Sequence, residues 1–235
     1  VTQKMYGDES NTGTALKQFL ERLVEVKAPG PPLSFGVFHL FCALEFMSKG
    51  RIGRNRLAEQ IAVGEGAIRT IVQRLVNAGL MGISRAGCVL TVEGLHIWRE
   101  LERFFPKRVA FLRSELSGYD FNFAFLVRGC NSKVRSGIEQ RDMAVAAGAL
   151  CAVVVVFQDG RLRIESVSED IEVAFPDAAR LIHGHLDPKE GDVVVIAGGD
   201  TALSAKQGAF AASWSMLTVQ RSKPVTGNLL IDVKR

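Results

Sequence analysis

Little in this chain points to metal, disulfide or membrane chemistry. Its four cysteines, Cys42, Cys88, Cys130 and Cys151, form no CxxC pair and no Cys/His spacing. That argues against a structural zinc site and a disulfide framework, and suits a reducing interior where thiols act as small apolar residues. The longest apolar run, "GALCAVVVVF", falls far short of the roughly 20 residues that span a bilayer and is β-branched enough for a buried strand. The N-terminal "VTQKMYGDESNTG" has no apolar centre of a secretory signal, so a cytoplasmic protein without a membrane span is expected. No Ser/His/Asp order, nucleophile elbow, paired-carboxylate pattern, GxGxxG or Walker lysine stands out. The sequence therefore supports no catalytic role and no cofactor.

What is present is a folded chain with uneven charge. At 235 residues, 47% hydrophobic and 23% charged, it is long enough for two domains that each bury a core. Residues 1–116 carry a net charge of +5 and residues 117–235 a net charge of −1. Within 49–85, seven basic residues (Lys49, Arg51, Arg54, Arg56, Arg69, Arg74, Arg85) face two acidic ones (Glu59, Glu65). So local an excess suits a polyanion-binding surface.

Along the chain, Leu16, Phe19, Leu20 and Leu23 predict an amphipathic helix over 12–27, and "APGPP" stops it. Residues 34–49 read as a nearly all-apolar central helix, in which His39 is given no role. Two short helices then meet at "AVG", the second starting near Glu65 with Ile68, Ile71, Val72 and Leu75 inward. "NAGL" closes that helix, "MGISRAGCVLTV" predicts a hairpin, and "TVEGLHIWRELERFF" predicts a last helix before Pro106. Helix, helix, tight turn, helix, hairpin, helix is the order of a winged helix-turn-helix over 34–105, which frees the outer face of its third helix to enter a major groove. The residues resemble that family in detail: Ala58 is small where the helices cross, Val63 is apolar at the turn, and "LTVEG" follows the wing. Ala62 departs from it, since many members have glycine there. The resemblance implies double-stranded DNA as partner, with Arg54, Arg56, Arg69, Thr70, Gln73, Arg74 and Arg85 as the contacting residues. Winged helices also serve as protein-docking modules and, less often, in RNA binding, and a polar outer face alone fits either.

Residues 1–33 are then a leading helix and Pro-rich linker, 106–120 a connector, and 121–235 a second domain. Its pattern β-α-β-β-α-β-α, with Asp159–Gly160 at a hairpin turn, predicts a compact α+β domain, ferredoxin-like or similar, with helices on one face. "VRGCNSKVRSGIEQRDMAVAAGA", the "QDG" hairpin and "VVVIAGGD" resemble the archaeal family called domain of unknown function 4443 over roughly 119–220, a resemblance that implies a regulator-like architecture and names no ligand. Candidate residues for a small polar or anionic effector are Arg128, Arg135, Glu139, Arg141 and Asp142, with Gly198, Gly199 and Asp200 between a strand and a helix. The same glycines fit an ordinary strand-to-helix turn, and the charged residues fit surface pairs. His183 and His185, spaced for one face of a strand near Asp187, are too few ligands to bet on a metal. The expectation is a homodimeric DNA-binding regulator whose second domain senses an effector through a change at the connector, with the 12–27 or 93–105 helix as dimer contact. The alternative is a metabolite-binding protein or enzyme that uses its winged helix for docking.

Overall fold

A computed structural model describes residues 9–26, 33–111 and 113–217. The "APGPP" break at 28–32, the first eight residues and those after 217 lie outside the described residues. The first half comprises α1 (Glu9–Arg22), α2 (Val37–Ser48), α3 (Arg54–Gln60), α4 (Glu65–Asn77), the hairpin β1 (Met81–Ser84) and β2 (Gly87–Leu90), and α5 (Val92–Phe104). This is the predicted winged-helix order. The apolar stripe of α4 is buried as its 3.6-residue spacing requires. Ile52 makes an isolated antiparallel bridge to Cys88 beside the two-stranded wing. Gly87 belongs there because a Cβ would stand 2.6 Å from the Ile52 carbonyl oxygen. Gly94 lets the first turn of α5, capped by the Thr91 hydroxyl, press against the Leu80 backbone.

Ala62 lies at the α3–α4 turn with φ of 55°, the left-handed region that glycine tolerates and other residues enter at a cost. An αL penalty of about 1–2 kcal/mol, less about 0.5–1 kcal/mol for the greater chain entropy of unfolded glycine, gives a net gain for Ala62→Gly of about 0–1.5 kcal/mol. Chemical denaturation is expected to show this as a higher midpoint with an unchanged slope.

The second half comprises β3 (Arg108–Phe111), β4 (Phe121–Val127), a 3₁₀ turn (Asn131–Lys133), α6 (Ile138–Ala146), β5 (Cys151–Gln158), β6 (Arg161–Arg163), α7 (Ile171–Ala174), α8 (Pro176–His185), β7 (Val193–Gly199) and α9 (Ala202–Ser215). The strands form one antiparallel sheet in the order β3-β4-β7-β5-β6. Asp159 and Gly160 both have positive φ at the β5–β6 turn, as a two-residue hairpin turn demands. From β4 onward the expected order holds with the short α7 added, β3 joins the sheet from the expected connector, and the helices do not share one face. Phe125, Val127, Val193 and Val195 point toward α9, α6 and the first half. The alternate residues Ala124, Leu126, Val194 and Ile196 point toward α7 and α8. Every residue of β7 is buried, which is why its sequence is apolar without alternation.

The two halves do not bury separate cores. The Phe41 ring of α2 lies 5.5 Å from Trp98, 6.0 Å from Phe105 and from Phe125, and 5.0 Å from Phe210, measured between centroids. One aromatic cluster thus joins α2, the end of α5, β4 and α9. Nor is 106–120 a plain connector, because β3 pairs with β4 and the Arg128 N–H donates to the Phe104 carbonyl at 2.9 Å. The stripe of α1 also has a partner inside the chain: Leu16 and Leu20 are buried, Phe19 and Leu23 pack on the same core, and Glu21 accepts a 3.1 Å hydrogen bond from the Trp214 indole. With Trp98 and Leu101 of α5 buried as well, neither helix expected at a dimer contact offers its stripe to a second copy.

At this junction Glu45 of α2 is buried between Arg108 of β3 and Lys206 of α9, at 2.9 Å and 3.3 Å. Arg108 also lies 5.2 Å from the Trp98 ring centroid and 5.6 Å from that of Phe41, and Lys206 lies 5.5 Å from that of Phe123. Burial alone would raise the Glu45 carboxyl, but the Lys206 and Arg108 charges outweigh it and hold the group below its ordinary range.

Candidate nucleic-acid interface

The face of α4 opposite its buried stripe carries Glu65, Gly66, Arg69, Gln73 and Asn77, all exposed, with Thr70 half-buried beside them. Their side chains engage one another loosely. Arg69 contacts Glu65 at 3.0 Å with both side chains mostly in water, Thr70 donates to the Gly66 carbonyl at 3.1 Å, and Gln73 donates to Asn77 at 2.8 Å. Exposed i,i+4 pairs of this kind contribute only about 0.3–0.5 kcal/mol, so a stronger polar partner displaces them readily. Arg54 and Arg56 are exposed in α3, and Arg85 is exposed at the wing tip. Arg54 is near enough to Cys88 to draw down its thiol, although burial is the larger influence and leaves that thiol raised. The first turn of α3 therefore lies beside the wing.

Arg74 does not join them. Its Nη1 donates to the Leu23 carbonyl at 2.5 Å and the Glu25 carbonyl at 3.0 Å, and its guanidinium stands 5.6 Å from the Phe35 ring centroid. It holds the end of α1 against α4, a contact across 51 positions that helical spacing does not reveal. Arg74→Ala is accordingly expected to lower stability by about 1–3 kcal/mol, as loss of charged hydrogen bonds does. The salt dependence of duplex binding by the folded variant should be unchanged.

The expected effector residues do not converge. Glu139, Arg141 and Asp142 are exposed on α6, where Arg141 pairs with its neighbour Asp142 at 3.2 Å, and Arg135 is exposed in the preceding loop. Gly198 lies beside the start of β5, where the Leu150 N–H donates to its carbonyl at 2.9 Å. Packing accounts for both glycines: a Cβ on Gly198 would stand 2.9 Å from Cys151 and Tyr119, and one on Gly199 would meet the Ser204 hydroxyl. Thr201, not Asp200, caps α9 by accepting from the Ser204 N–H. "AGGDT" is thus a tightly packed, capped turn rather than an anion cradle. Arg128 instead binds Asp192, which is 1% exposed.

His183 and His185 lie on α8, not on a strand, and His183 contacts Glu172 at 2.8 Å. Among the described residues no three His, Cys, Asp or Glu side chains group as metal ligands. Burial raises all four thiols, those of Cys42 and Cys130 to about 11, so they stay protonated. His39 has a structural part that its apolar neighbours hid: its Nδ1 accepts the Gly36 N–H at 3.0 Å at the start of α2, and burial lowers its pKa.

The architecture is that of a winged-helix domain built onto a mixed sheet domain. Residues 39–105 match the family model of the CggR N-terminal DNA binding domain, and residues 119–216 match that of the domain of unknown function DUF4443, so the chain joins a DNA-binding domain to DUF4443. The fold is shared with a hypothetical protein from Pyrococcus horikoshii OT3, at a TM-score of 0.64 and 23% identity over 78% of this chain and 93% of that one. No curated protein matches the chain. No helix among the described residues is long and apolar enough to cross a membrane.

Proposed function

We propose that this chain is a sequence-specific transcriptional regulator that binds double-stranded DNA as a homodimer and responds to a small anionic metabolite, acting by binding rather than by catalysis. The observation that carries the reading is the outer face of α4: polar, weakly self-paired and set opposite a fully buried stripe, in a segment where Arg54, Arg56 and Arg85 are exposed as well. An inert solvated face has no need of so local a cationic excess as that of 49–85. Arg69 and Gln73 read base edges, and the flanking arginines engage phosphates.

The dimer contact falls on α6, where Ile138 and Val145 recur seven residues apart on one face and are 51% and 48% exposed. Pairing two winged helices supplies the second half-site that one short reading helix lacks. Light scattering of Ile138→Glu/Val145→Glu at micromolar concentration is expected to return a monomer where the parent chain returns a dimer.

Footprinting the intact tagged protein across its host genome, followed by anisotropy on the recovered duplexes at several salt concentrations, tests the reading. Binding that weakens steeply with salt and prefers the recovered sites supports it. Absence of duplex binding would sink it in favour of a docking module.

A further inference from the structure

A cleft of about 410 Å³ opens where the two halves meet. Its walls come from α1, the end of α5, the 128–133 loop and the end of α9. We infer that this cleft, rather than the α6 and "AGGDT" residues, is the effector site, and that it takes a small organic carboxylate with an apolar body; its regulatory meaning rests on the reading above.

The volume lies within the range of small-molecule sites, and the lining has the composition of one. Phe104, Met216 and Leu217 supply apolar surface, with the last two buried. Arg103, Arg128 and Lys133 bring positive charge, against one carboxylate, that of Glu100, among the described lining residues. Residues 117–235 as a whole are net −1, so this cationic lining is local.

The loop that carries Arg128 is fixed before any ligand arrives. The buried Asp192 carboxylate accepts from Arg128 Nη1 at 2.6 Å, from the Gly129 N–H at 3.1 Å and from the Lys189 N–H at 2.8 Å. With the Arg128 side chain still 42% exposed, its guanidinium is both oriented and accessible, and little ordering remains for a ligand to impose. Arg103 stands next to Phe104, whose carbonyl accepts the Arg128 N–H, and among the described residues it pairs with Glu100 at 3.3 Å while 71% exposed. A carboxylate held in the cleft has the N–H donors of Arg103, Arg128 and Lys133 in the lining to bind, while its body covers Phe104. The same α5 whose last turn lines the cleft starts at the Thr91 cap beneath the wing. Occupancy therefore bears on an element common to the cleft and the DNA-binding surface.

The test is calorimetric titration of the full chain, free of DNA, with phenylacetate and hexanoate, and with benzyl alcohol and inorganic phosphate as probes lacking charge or body. The carboxylates are expected to bind at least tenfold more tightly than either control. Arg103→Gln/Lys133→Gln, which leaves the Arg128–Asp192 pair intact, should weaken them at least tenfold. Ser132→Trp, which fills the cleft from an exposed position, should abolish binding without altering charge. Carboxylates that fail to bind at millimolar concentration, or that bind both variants as they bind the parent, overturn the site; phosphate binding as tight as phenylacetate overturns the ligand class. Binding that follows the expected pattern in a chain with no affinity for duplex DNA would uphold the site and remove the regulatory reading alone.

Discussion

Replacing Glu45 with alanine is expected to cost about 3–5 kcal/mol, as breaking a buried pair from one side does. The side chains of Glu45, Arg108 and Lys206 are 9%, 11% and 22% exposed, so Glu45→Ala leaves two cations in a site where water cannot solvate them well. Hydrophobic replacement of a whole buried ion group is often neutral, and the large penalty comes from the charges left behind. Because the triad sits where α2, β3 and α9 meet, the loss should destabilise both halves together. Urea denaturation followed by tryptophan fluorescence and by far-ultraviolet circular dichroism is expected to show one coincident transition, shifted to lower denaturant. Separate transitions for the two halves would contradict the shared core.

The same triad sets an acid limit. Unfolding returns the Glu45 carboxyl to its ordinary value near 4.5, above the value it has when folded. As pH falls, the unfolded chain therefore takes up this proton first, and stability falls with it. The contribution is full above about pH 4.5 and disappears as pH drops through the lowered folded value. Glu45→Gln should flatten that part of the stability profile, which denaturation midpoints across the acid range would display.

Arg69→Ala is expected to cost about 1–3 kcal/mol at a recovered operator, and to relax preference at the base it reads. Its exposed contact to Glu65 is easily exchanged for a guanine edge, so the loss should register in binding and scarcely in stability. Arg54→Ala and Arg85→Ala should instead weaken all duplexes alike and each reduce the slope of log affinity against log salt by about one. Anisotropy titrations against operator and scrambled duplexes separate the two behaviours. An Arg69→Ala protein that folds normally and binds its operator unchanged would remove α4 as the reading helix.

Much of this protein was legible in the order of its residues, because the features concerned depend on neighbours in sequence. The Ile68, Ile71, Val72 and Leu75 spacing marks the buried side of α4, and the Asp159–Gly160 pair marks a turn that needs positive φ at both positions. The charge excess over 49–85 requires only counting. Periodicity says that a face is covered, but not by what. The stripe of α1 was therefore open to a second copy until the structure placed it against α2 and α9.

Tertiary structure alone decided the remainder, since those contacts join residues remote in the chain. Arg74 looks like a reading residue by its helical angle, yet two carbonyls 49 and 51 positions away hold it. Glu45 meets Arg108 and Lys206 across 63 and 161 positions. Gly198 and Gly199 suggest an anion loop from composition, whereas the atoms a Cβ would strike show that close packing requires them. Local sequence encodes backbone preference and the side of an element that avoids water; which side chain meets which charge is set by the assembled core, where desolvation makes every buried polar group find a partner.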